Sequence, residues 1–488
     1  MVKNRKQMVK MKQQAVNPFL PSWEYIPDGE PRIFHDRVYL YGSHDHFGAP
    51  IFCVGDYVCW SAPVDDLADW RYEGVIYKRN QDPKNALGLH LLFAPDVVQG
   101  TDGRYYLYYA FDFLGMIGVA VSETPVGPFQ FYGHVHYKDG TIWGRRKGDQ
   151  FPFDPGVLVD DDGSVYLYSG FYQSIPALAS GFRKLRSDGG VVVALEKDMV
   201  TIRKEPKLLF PKAGPGSFPN HEFFEASSIR KDGSKYIFTY SSRHNHELCY
   251  AVSDYPDRDF RFGGTLVDQG DLFLNGNEEE NGASNYLGNT HGGMLNIGDD
   301  WYIFYHRQTN QHSYSRQACA EKLEHLAPGV FRQAEVTSCG LNGTPLMGSG
   351  KYEARIACNL WSKHGVARYD RKFNKRIHPF FTQTGKDRME NGDQYIANLR
   401  DGAVAGFKYF QFTEGNTIRI TLSGKAEGSI EIAHTPDFTT TISSIPIHVQ
   451  GSTLEIQGPF NPSAGTQPLF FRFIGKGAVN FHSFTMNI

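Results

Sequence analysis

Five copies of one strand pattern recur in the first two thirds of the chain, and they constrain the fold more than any other feature. Each copy opens with a leading residue, continues with an apolar pair and a turn, and ends in an aromatic strand. The leading residues are Asp28, Pro95, Asp154, Glu225 and His291. The copies recur about every sixty to seventy residues, with the leading residue always eleven or twelve positions before the first strand tyrosine. This spacing indicates a repeat architecture.

Each copy predicts a β-hairpin whose turn is Asp-Gly or an equivalent pair. The distance between copies leaves room for two further strands, which makes a four-stranded blade. We therefore predict an all-β protein that begins with a five-bladed β-propeller. In such a fold the first strand of every blade lines the central axis, so the five leading residues converge there. The tyrosines of the aromatic strands are predicted to be core residues.

The repeat stops near Thr337, and a Gly- and Pro-containing stretch follows it. Beyond this stretch, short runs such as NTIRITLSG and STLEIQG alternate apolar and polar residues, which is typical of an antiparallel β-sandwich. A chain of 488 residues is also long enough for more than one core. We predict a propeller domain over residues 15–345 and a β-sandwich (jelly-roll) domain over residues 350–488.

Four of the five leading residues are ionisable: Asp28, Asp154, Glu225 and His291. Packing alone does not explain them, because buried charges are costly unless they are paired or used. Carboxylates gathered in one pocket push their pKa values apart, so that one serves as an acid and another as a base. Cleavage of a glycosidic bond needs such a pair, with a wider separation for inversion than for retention of the anomeric centre.

The segments NPFLPSWEYIPDGEPRIF, FDPGVLVDDDG, FFEASSIRK and GNTHGGM, in this order, resemble the family 43 glycoside hydrolases over residues 17 to 345. The resemblance implies a five-bladed propeller that inverts the anomeric centre of arabinose- or xylose-containing glycans. It implies that Asp28 is the general base, that Glu225 is the general acid, and that Asp154 orients the acid and raises its pKa. Glu30 is a rival base. Glu222 is a rival acid, although strand alternation and the repeat register favour Glu225.

The same resemblance implies that His291 faces a calcium ion or an ordered water molecule at the propeller axis. Phe93 is a candidate for an apolar wall of the sugar pocket, with ordinary blade packing as the alternative. Arg307, at the end of the last aromatic strand, is a candidate for binding a sugar hydroxyl or carboxylate, with an interblade salt bridge as the alternative. Asp45 and His46, at the matching end of the first blade, are candidates for the pocket rim. The C-terminal sandwich resembles the carbohydrate-binding modules often fused to this family, with a purely structural role as the alternative.

The 50 basic and 53 acidic residues are mixed along the chain and give a net charge of -3, so no nucleic-acid partner is expected. No apolar run reaches the length of a membrane span, and the basic N-terminal segment lacks the apolar run of a secretory signal. The six cysteines are scattered, without a CxxC pair, which argues against a zinc site and a dense disulfide framework. A cytoplasmic enzyme is expected, and self-association into a homo-oligomer is left open.

Together with these features, the resemblance to family 43 implies an exo-acting enzyme that removes terminal α-L-arabinofuranosyl groups from arabinoxylan- or arabinan-derived oligosaccharides. A β-D-xylosidase acting on xylo-oligosaccharides is the alternative enzyme, because the two substrates have similar shapes. A catalytically silent propeller that only binds glycans is the alternative from a different class. The presence of both catalytic carboxylates argues against it.

Overall fold

The computed structural model describes residues 13–112, 114–175, 182–369, 374–387, 393–413 and 415–487. Its helices in these ranges are short 3-10 turns at Arg79–Gln81, Pro83–Asn85, Glu280–Gly282, Gly340–Asn342 and Ala354–Ile356. Within the same ranges no helix is long and apolar enough to cross a membrane. Strands therefore build the molecule, as the sequence predicts.

Five four-stranded sheets follow one another along the chain. Blade 1 consists of β1 (Glu30–Phe34), β2 (Arg37–Tyr41), β3 (Tyr57–Pro63) and β4 (Arg71–Tyr77). Blade 2 consists of β5 (Asp96–Gln99), β6 (Tyr105–Ala110), β7 (Ile117–Ser122) and β8 (Gln130–His134). Blade 3 consists of β9 (Gly156–Val159), β10 (Val165–Ser169), β11 (Gly189–Leu195) and β12 (Ile202–Pro211). Blade 4 consists of β13 (Phe223–Asp232), β14 (Lys235–Ser242), β15 (Glu247–Ser253) and β16 (Arg261–Asp268). Blade 5 consists of β17 (Met294–Ile297), β18 (Asp300–Thr309), β19 (His312–Ala327) and β20 (Val330–Arg332).

The blades form a closed ring around a central axis. Within each blade the strands pair antiparallel in chain order, and the first strands of neighbouring blades contact one another all the way round, including β1 with β17. Gly29 and Gly292 form a parallel bridge where the ring closes. This confirms the predicted five-bladed propeller, with the first strand of every blade innermost.

The apolar core of the propeller is divided into layers, one between each pair of neighbouring blades. The second strands supply much of it, because their aromatic side chains alternate between the two faces of each blade. Tyr39, Tyr106 and Tyr302, the first strand tyrosines of blades 1, 2 and 5, are buried, whereas Tyr166 and Tyr236 are half-buried. The apolar layers hold the blades at fixed positions around the axis.

The C-terminal strands form a β-sandwich-like domain with its own apolar core. They are β21 (Leu346–Met347), β22 (Gly350–Glu353), β23 (Asn359–Trp361), β24 (Phe380–Thr382), β25 (Tyr395–Leu399), β26 (Val404–Phe412), β27 (Thr417–Ala433), β28 (Thr441–Gln450), β29 (Leu454–Pro459) and β30 (Gly465–Asn487). The long strands β27 and β30 pair along most of their length. In β28, buried and exposed residues alternate, as expected for a strand with one face on the core.

The change from blade to sandwich occurs between β20, which ends at Arg332, and β21, which begins at Leu346. The two parts are joined by buried polar contacts. Lys408 of β26 lies 2.7 Å from Glu335 and 3.3 Å from Asp271 of the propeller. Because a buried cation needs a partner, these carboxylates help to anchor the sandwich against blades 4 and 5.

Candidate active site

One pocket of about 450 Å³ opens at the end of the propeller where the leading residues converge. Its lining residues include polar side chains at the axis and aromatic side chains around them: Asp28, Phe52, Phe93, Phe153, Asp154, Phe171, Phe224, Glu225, His291, Tyr314 and Arg316. Asp28, Asp154 and His291 are buried at its inner end, and Ile51 at the rim is 47% exposed. This is the size and composition of a site for a small organic ligand.

The two aspartates enter the pocket from turns just before the first strands of their blades. Asp28 precedes β1 and Asp154 precedes β9, and both have positive φ angles, 57° and 46°. A left-handed backbone is tolerated by Asp better than by most residues. It turns each side chain towards the axis before the chain enters its blade. Such conformations persist where the surrounding structure enforces them, and they cluster at functional sites.

Glu225 enters the pocket from an irregular part of β13. The register between β13 and β14 shifts on both sides of Glu225, and the following Ala226 has a φ of 71°. The amide of Ala226 donates to Oδ2 of Asp154 at 3.2 Å. Because a bulge re-aims the side chain beside it, this irregularity gives Glu225 its direction and ties it to Asp154.

Arg316 of β19 holds Asp28 from the neighbouring blade. Its Nη1 donates to Oδ1 of Asp28 at 3.0 Å, while its Nε and Nη2 donate to the carboxylate of Asp45 at 2.8 and 3.1 Å. The amide of Cys53 also donates to Asp45, at 2.9 Å. The planar guanidinium is thus fixed by a bidentate pair before it reaches Asp28.

Two buried histidines also face Asp28. The backbone amide of Asp28 donates to Nδ1 of His306 at 3.2 Å, which makes that nitrogen an acceptor. Nδ1 of His291 lies 3.6 Å from Asp154 and 3.9 Å from Asp28. Burial lowers the pKa of His291 to about 4 and that of His306 to about 3. Both imidazoles are therefore neutral at neutral pH.

The environment separates the pKa values of the carboxyl groups. Burial by itself raises the pKa of Asp28, but the charge of Arg316 lowers it below its usual value. Burial, followed by the charge of Asp28, raises the pKa of Glu225 to about 8. Burial and the neighbouring Glu225 raise the pKa of Asp154 well above its usual value. At neutral pH the pocket therefore combines an ionised Asp28 with a protonated Glu225.

Comparison with known proteins identifies the family. The family described as "Glycosyl hydrolases family 43" matches residues 24–331. A xylosidase/arabinosidase of Thermoclostridium stercorarium is 44% identical over 482 residues, covering 98% of this chain and 99% of the relative. This chain belongs to glycosyl hydrolase family 43. It is a glycoside hydrolase, and the alternative of a silent, glycan-binding propeller is set aside.

Solved structures of family 43 enzymes share the fold. An arabinoxylan arabinofuranohydrolase from Bacillus subtilis, in complex with cellotetraose, is 20% identical with a TM-score of 0.51, covering 96% of this chain and 97% of that one. A β-xylosidase/α-arabinofuranosidase from a compost microbial metagenome, in complex with xylotriose and in a calcium-free form, is 24% identical with a TM-score of 0.51. It covers 66% of this chain and 98% of that chain.

Five of the predicted site residues of this family 43 enzyme meet in the pocket: Asp28, Phe93, Asp154, Glu225 and His291. Phe93 belongs to an aromatic arc in which its ring lies 5.5 Å from that of Phe153. The rival residues lie elsewhere. Glu30 is buried and bonded to Arg230 and Ser228 at 2.6 and 2.8 Å, and Glu222 does not line the pocket.

Arg307, a predicted sugar-binding residue, does not line the pocket. Its guanidinium donates to the carbonyls of Ala357 and Arg355 in the C-terminal part of the chain, at 3.1 and 2.7 Å, and lies over the ring of Phe381. The reason is strand alternation, because His306 points from β18 towards Asp28 and the next side chain must point the opposite way. The alternative of an interblade salt bridge is not seen either, since these partners are carbonyl groups.

Asp45 and His46 do not line the pocket, contrary to their predicted place at its rim. Asp45 is 1% exposed and acts behind the pocket on Arg316. Nδ1 of His46 lies 3.8 Å from Asp387 of the C-terminal domain. The rim position is instead held by the next part of the same loop, which carries Ile51 and Phe52.

The residues around His291 do not by themselves fit a calcium ion. Calcium prefers oxygen ligands, usually six to eight of them. The carboxylates nearest to His291 are those of Asp28, which is already bonded to Arg316, and Asp154, which accepts from Ala226. Among the described residues, the side chains at His291 do not form a cluster of three close metal-ligand atoms.

Sequence reasoning missed Arg316 and His306. His306 stands beside Arg307 in YHRQ, and Arg316 lies on the following strand. The register pairs Gln308 with Arg316 and His306 with Ala318, so His306 and Arg316 lie on one face of the blade. Strand alternation could have predicted that these two side chains share a face of the blade. That this face points towards Asp28 depends on ring closure.

Proposed function

We propose that this enzyme removes terminal α-L-arabinofuranosyl groups from arabinoxylan- or arabinan-derived oligosaccharides with inversion of the anomeric centre. The observation that carries the proposal is the pair formed by Asp28, with a lowered pKa, and Glu225, with a pKa raised to about 8, in one aromatic-lined pocket. Such opposite environments assign a base and an acid. Buried carboxyl groups at the inner end of a pocket suit a terminal sugar rather than the middle of a chain.

In the proposed reaction, Asp28 accepts a proton from a water molecule as the water oxygen bonds to the anomeric carbon. Glu225 gives its proton to the glycosidic oxygen as the bond from that oxygen to the anomeric carbon breaks. The sugar leaves with the opposite anomeric configuration. Proton exchange with solvent then restores both groups. Arg316 keeps Asp28 ionised, and Asp154 orients Glu225 through the Ala226 amide.

β-D-xylosidase activity is the second candidate. The relative from Thermoclostridium stercorarium, which matches nearly the whole of this chain, is called a xylosidase/arabinosidase. A terminal xylopyranosyl group and an arabinofuranosyl group present similar shapes. The same carboxyl pair would serve both reactions, so the preference for arabinofuranosyl or xylopyranosyl groups depends on the residues that form the pocket wall.

The decisive assay compares the wild type with Glu225→Gln, Asp28→Asn and the control Glu222→Gln on aryl α-L-arabinofuranosides and aryl β-D-xylosides. Loss of the general acid is expected to lower kcat by roughly 10²- to 10⁴-fold. The loss in Glu225→Gln should shrink with a dinitrophenyl leaving group, which needs less protonation, whereas Asp28→Asn should stay inactive on every leaving group. Glu222→Gln should behave like the wild type.

Two outcomes would contradict the proposal. One is a wild type that cleaves neither glycoside, and the other is a Glu225→Gln variant with full activity on a poor leaving group. Proton NMR of the first-formed sugar checks the stereochemistry. A retained anomer would rule out Asp28 as a base acting on water.

A further inference from the structure

The C-terminal domain contacts the loop beside the catalytic pocket through a short segment. Residues 380–387, here called the sandwich arm, begin with β24 and continue towards blade 1. The amide of Asn310 donates to the carbonyl of Phe381 at 2.7 Å, and Thr382 Oγ1 donates to Asn310 Oδ1 at 3.2 Å. These contacts fix the start of the arm against the loop that joins β18 to β19.

The far end of the arm is held against blade 1. The hydroxyl of the buried Tyr25 donates to Oε1 of Gln383 at 2.5 Å, and Nε2 of Gln383 donates to the carbonyl of Lys386 at 3.1 Å. Asp387 then places Oδ1 where it accepts from the backbone amide of Phe47 at 2.7 Å. A carboxylate that accepts a backbone N–H makes a charge-assisted bond, which is shorter and stronger than a neutral one.

Phe47 belongs to the loop that forms one wall of the pocket. Residues 42–56, here called the rim loop, connect β2 to β3. The rim loop carries Ile51 and Phe52 into the pocket lining, and the ring of Phe52 lies 4.6 Å from that of Tyr314, edge to face. The rim loop also carries Asp45, which holds Arg316. The conformation of this loop therefore bears on both the shape of the pocket and the support of Asp28.

Within the rim loop, several bonds are internal or come from the propeller. The amide of Gly55 donates to the carbonyl of His44 at 2.8 Å, and the amide of Gly48 reaches Ser315 Oγ at 3.3 Å. The Asp387 carboxylate is a different kind of support, because it comes from another domain and acts between Asp45 and Phe52. Its side chain is 23% exposed, so it can be replaced without opening an apolar core.

We propose that Asp387 is a positioning residue, through which the C-terminal domain fixes the rim loop and so sets the pocket wall at Ile51 and Phe52. The domain then takes part in substrate selection although none of its described residues lines the pocket. This inference rests on the proposed function for its kinetic part. Its structural part, the protected amide of Phe47, does not.

The test compares Asp387→Ala, Asp387→Asn and the control Asp401→Ala. Asp401 lies in the same domain and also accepts a backbone amide, that of Gly475 at 3.2 Å, but within the domain itself. We expect Asp387→Ala to raise KM for the aryl glycosides by about three- to ten-fold, the equivalent of one hydrogen bond, with a much smaller change in kcat. Asp387→Asn keeps an acceptor oxygen and should restore most of the affinity, and Asp401→Ala should leave KM unchanged.

Hydrogen exchange gives a readout that needs no substrate. In the wild type the amide of Phe47 should be protected, and in Asp387→Ala the peptide spanning residues 44–53 should exchange faster while the blades remain protected. Rapid exchange at Phe47 in the wild type would overturn the proposal, whether or not the variants fold. So would an Asp387→Ala variant with wild-type KM and exchange, or an Asp387→Asn variant as impaired as Asp387→Ala.

The two proposals can fail separately. If the wild type cleaves neither aryl glycoside, the proposed function fails, and the exchange measurement still tests Asp387. If the wild type is active but Asp387→Ala leaves the KM and the hydrogen exchange of the rim loop unchanged, only the positioning role fails.

Discussion

Arg316 and Asp28 are joined by a hydrogen bond of 3.0 Å between two blades that meet where the ring closes. The residues are 288 positions apart in the chain. Arg316 is itself held by Asp45 at 2.8 Å, so the guanidinium cannot turn away without breaking two ion pairs. This ion pair keeps Asp28, the proposed base, ionised in a buried position, where an unpaired carboxylate would take up a proton.

Replacing Arg316 should raise the pKa of Asp28 and lower activity. Arg316→Lys keeps a charge but cannot bind Asp45 and Asp28 together, and we expect kcat/KM to fall by roughly tenfold or more, the effect of a lost charge-assisted bond. For Arg316→Met the fall in kcat/KM should be larger, and the acidic limb of its pH profile should move to higher pH. Arg332→Met, which removes an exposed ion pair with Glu324, is the control. Unchanged pH limbs in Arg316→Met would contradict this role.

The pH dependence of kcat/KM should be bell-shaped. Glu225 must carry a proton, so activity should fall as the pH rises through about 8, the value to which burial and the charge of Asp28 raise its pKa. Asp28 must be ionised, so on the acidic side activity should persist below the usual carboxyl range, because Arg316 holds that pKa down. A profile that keeps rising well above pH 8 would contradict the acid role of Glu225.

Substitutions of Glu30 and Asp28 should have different effects, because Glu30 supports the stability of the fold and Asp28 supports catalysis. Glu30 is buried and paired with Arg230 at 2.6 Å, so Glu30→Gln leaves a buried guanidinium without its partner. Breaking such a pair costs about 3 to 5 kcal/mol, so the midpoint of thermal unfolding of Glu30→Gln should lie clearly below that of the wild type. The folded variant should still hydrolyse substrate, while Asp28→Asn should fold but lack activity. An inactive, fully stable Glu30→Gln would restore Glu30 as a base.

Arg307 should matter for domain docking and not for the sugar. Arg307→Met removes the donors to the carbonyls of Ala357 and Arg355. Leaving buried acceptors unsatisfied costs about 1 to 3 kcal/mol, which should lower the unfolding midpoint while KM stays close to the wild-type value. A large rise in KM at unchanged stability would bring back the sugar-binding role.

The sequence by itself determined the repeat and the placement of the residues that lead each copy. The constant offset between each leading residue and its aromatic strand was enough to predict five blades, because strand period and turn chemistry are local properties. The same offset predicted that four leading residues lie close together, since equivalent positions of a radial repeat meet at the axis. These residues are Asp28, Asp154, Glu225 and His291. Phe93 was a candidate through the resemblance to family 43, and its side chain lies in the pocket lining.

Only the tertiary structure decided the partners of these residues. Arg316 reaches Asp28 because blade 5 closes against blade 1, and the sequence contains no local sign of that contact. Arg307 and His306 are neighbours on opposite faces of β18, yet only the closed ring places Arg307 against the second domain and His306 against Asp28. Asp387 meets Phe47 across two domains. Such contacts depend on how separate elements pack, and local patterns of sequence do not encode the distances between them.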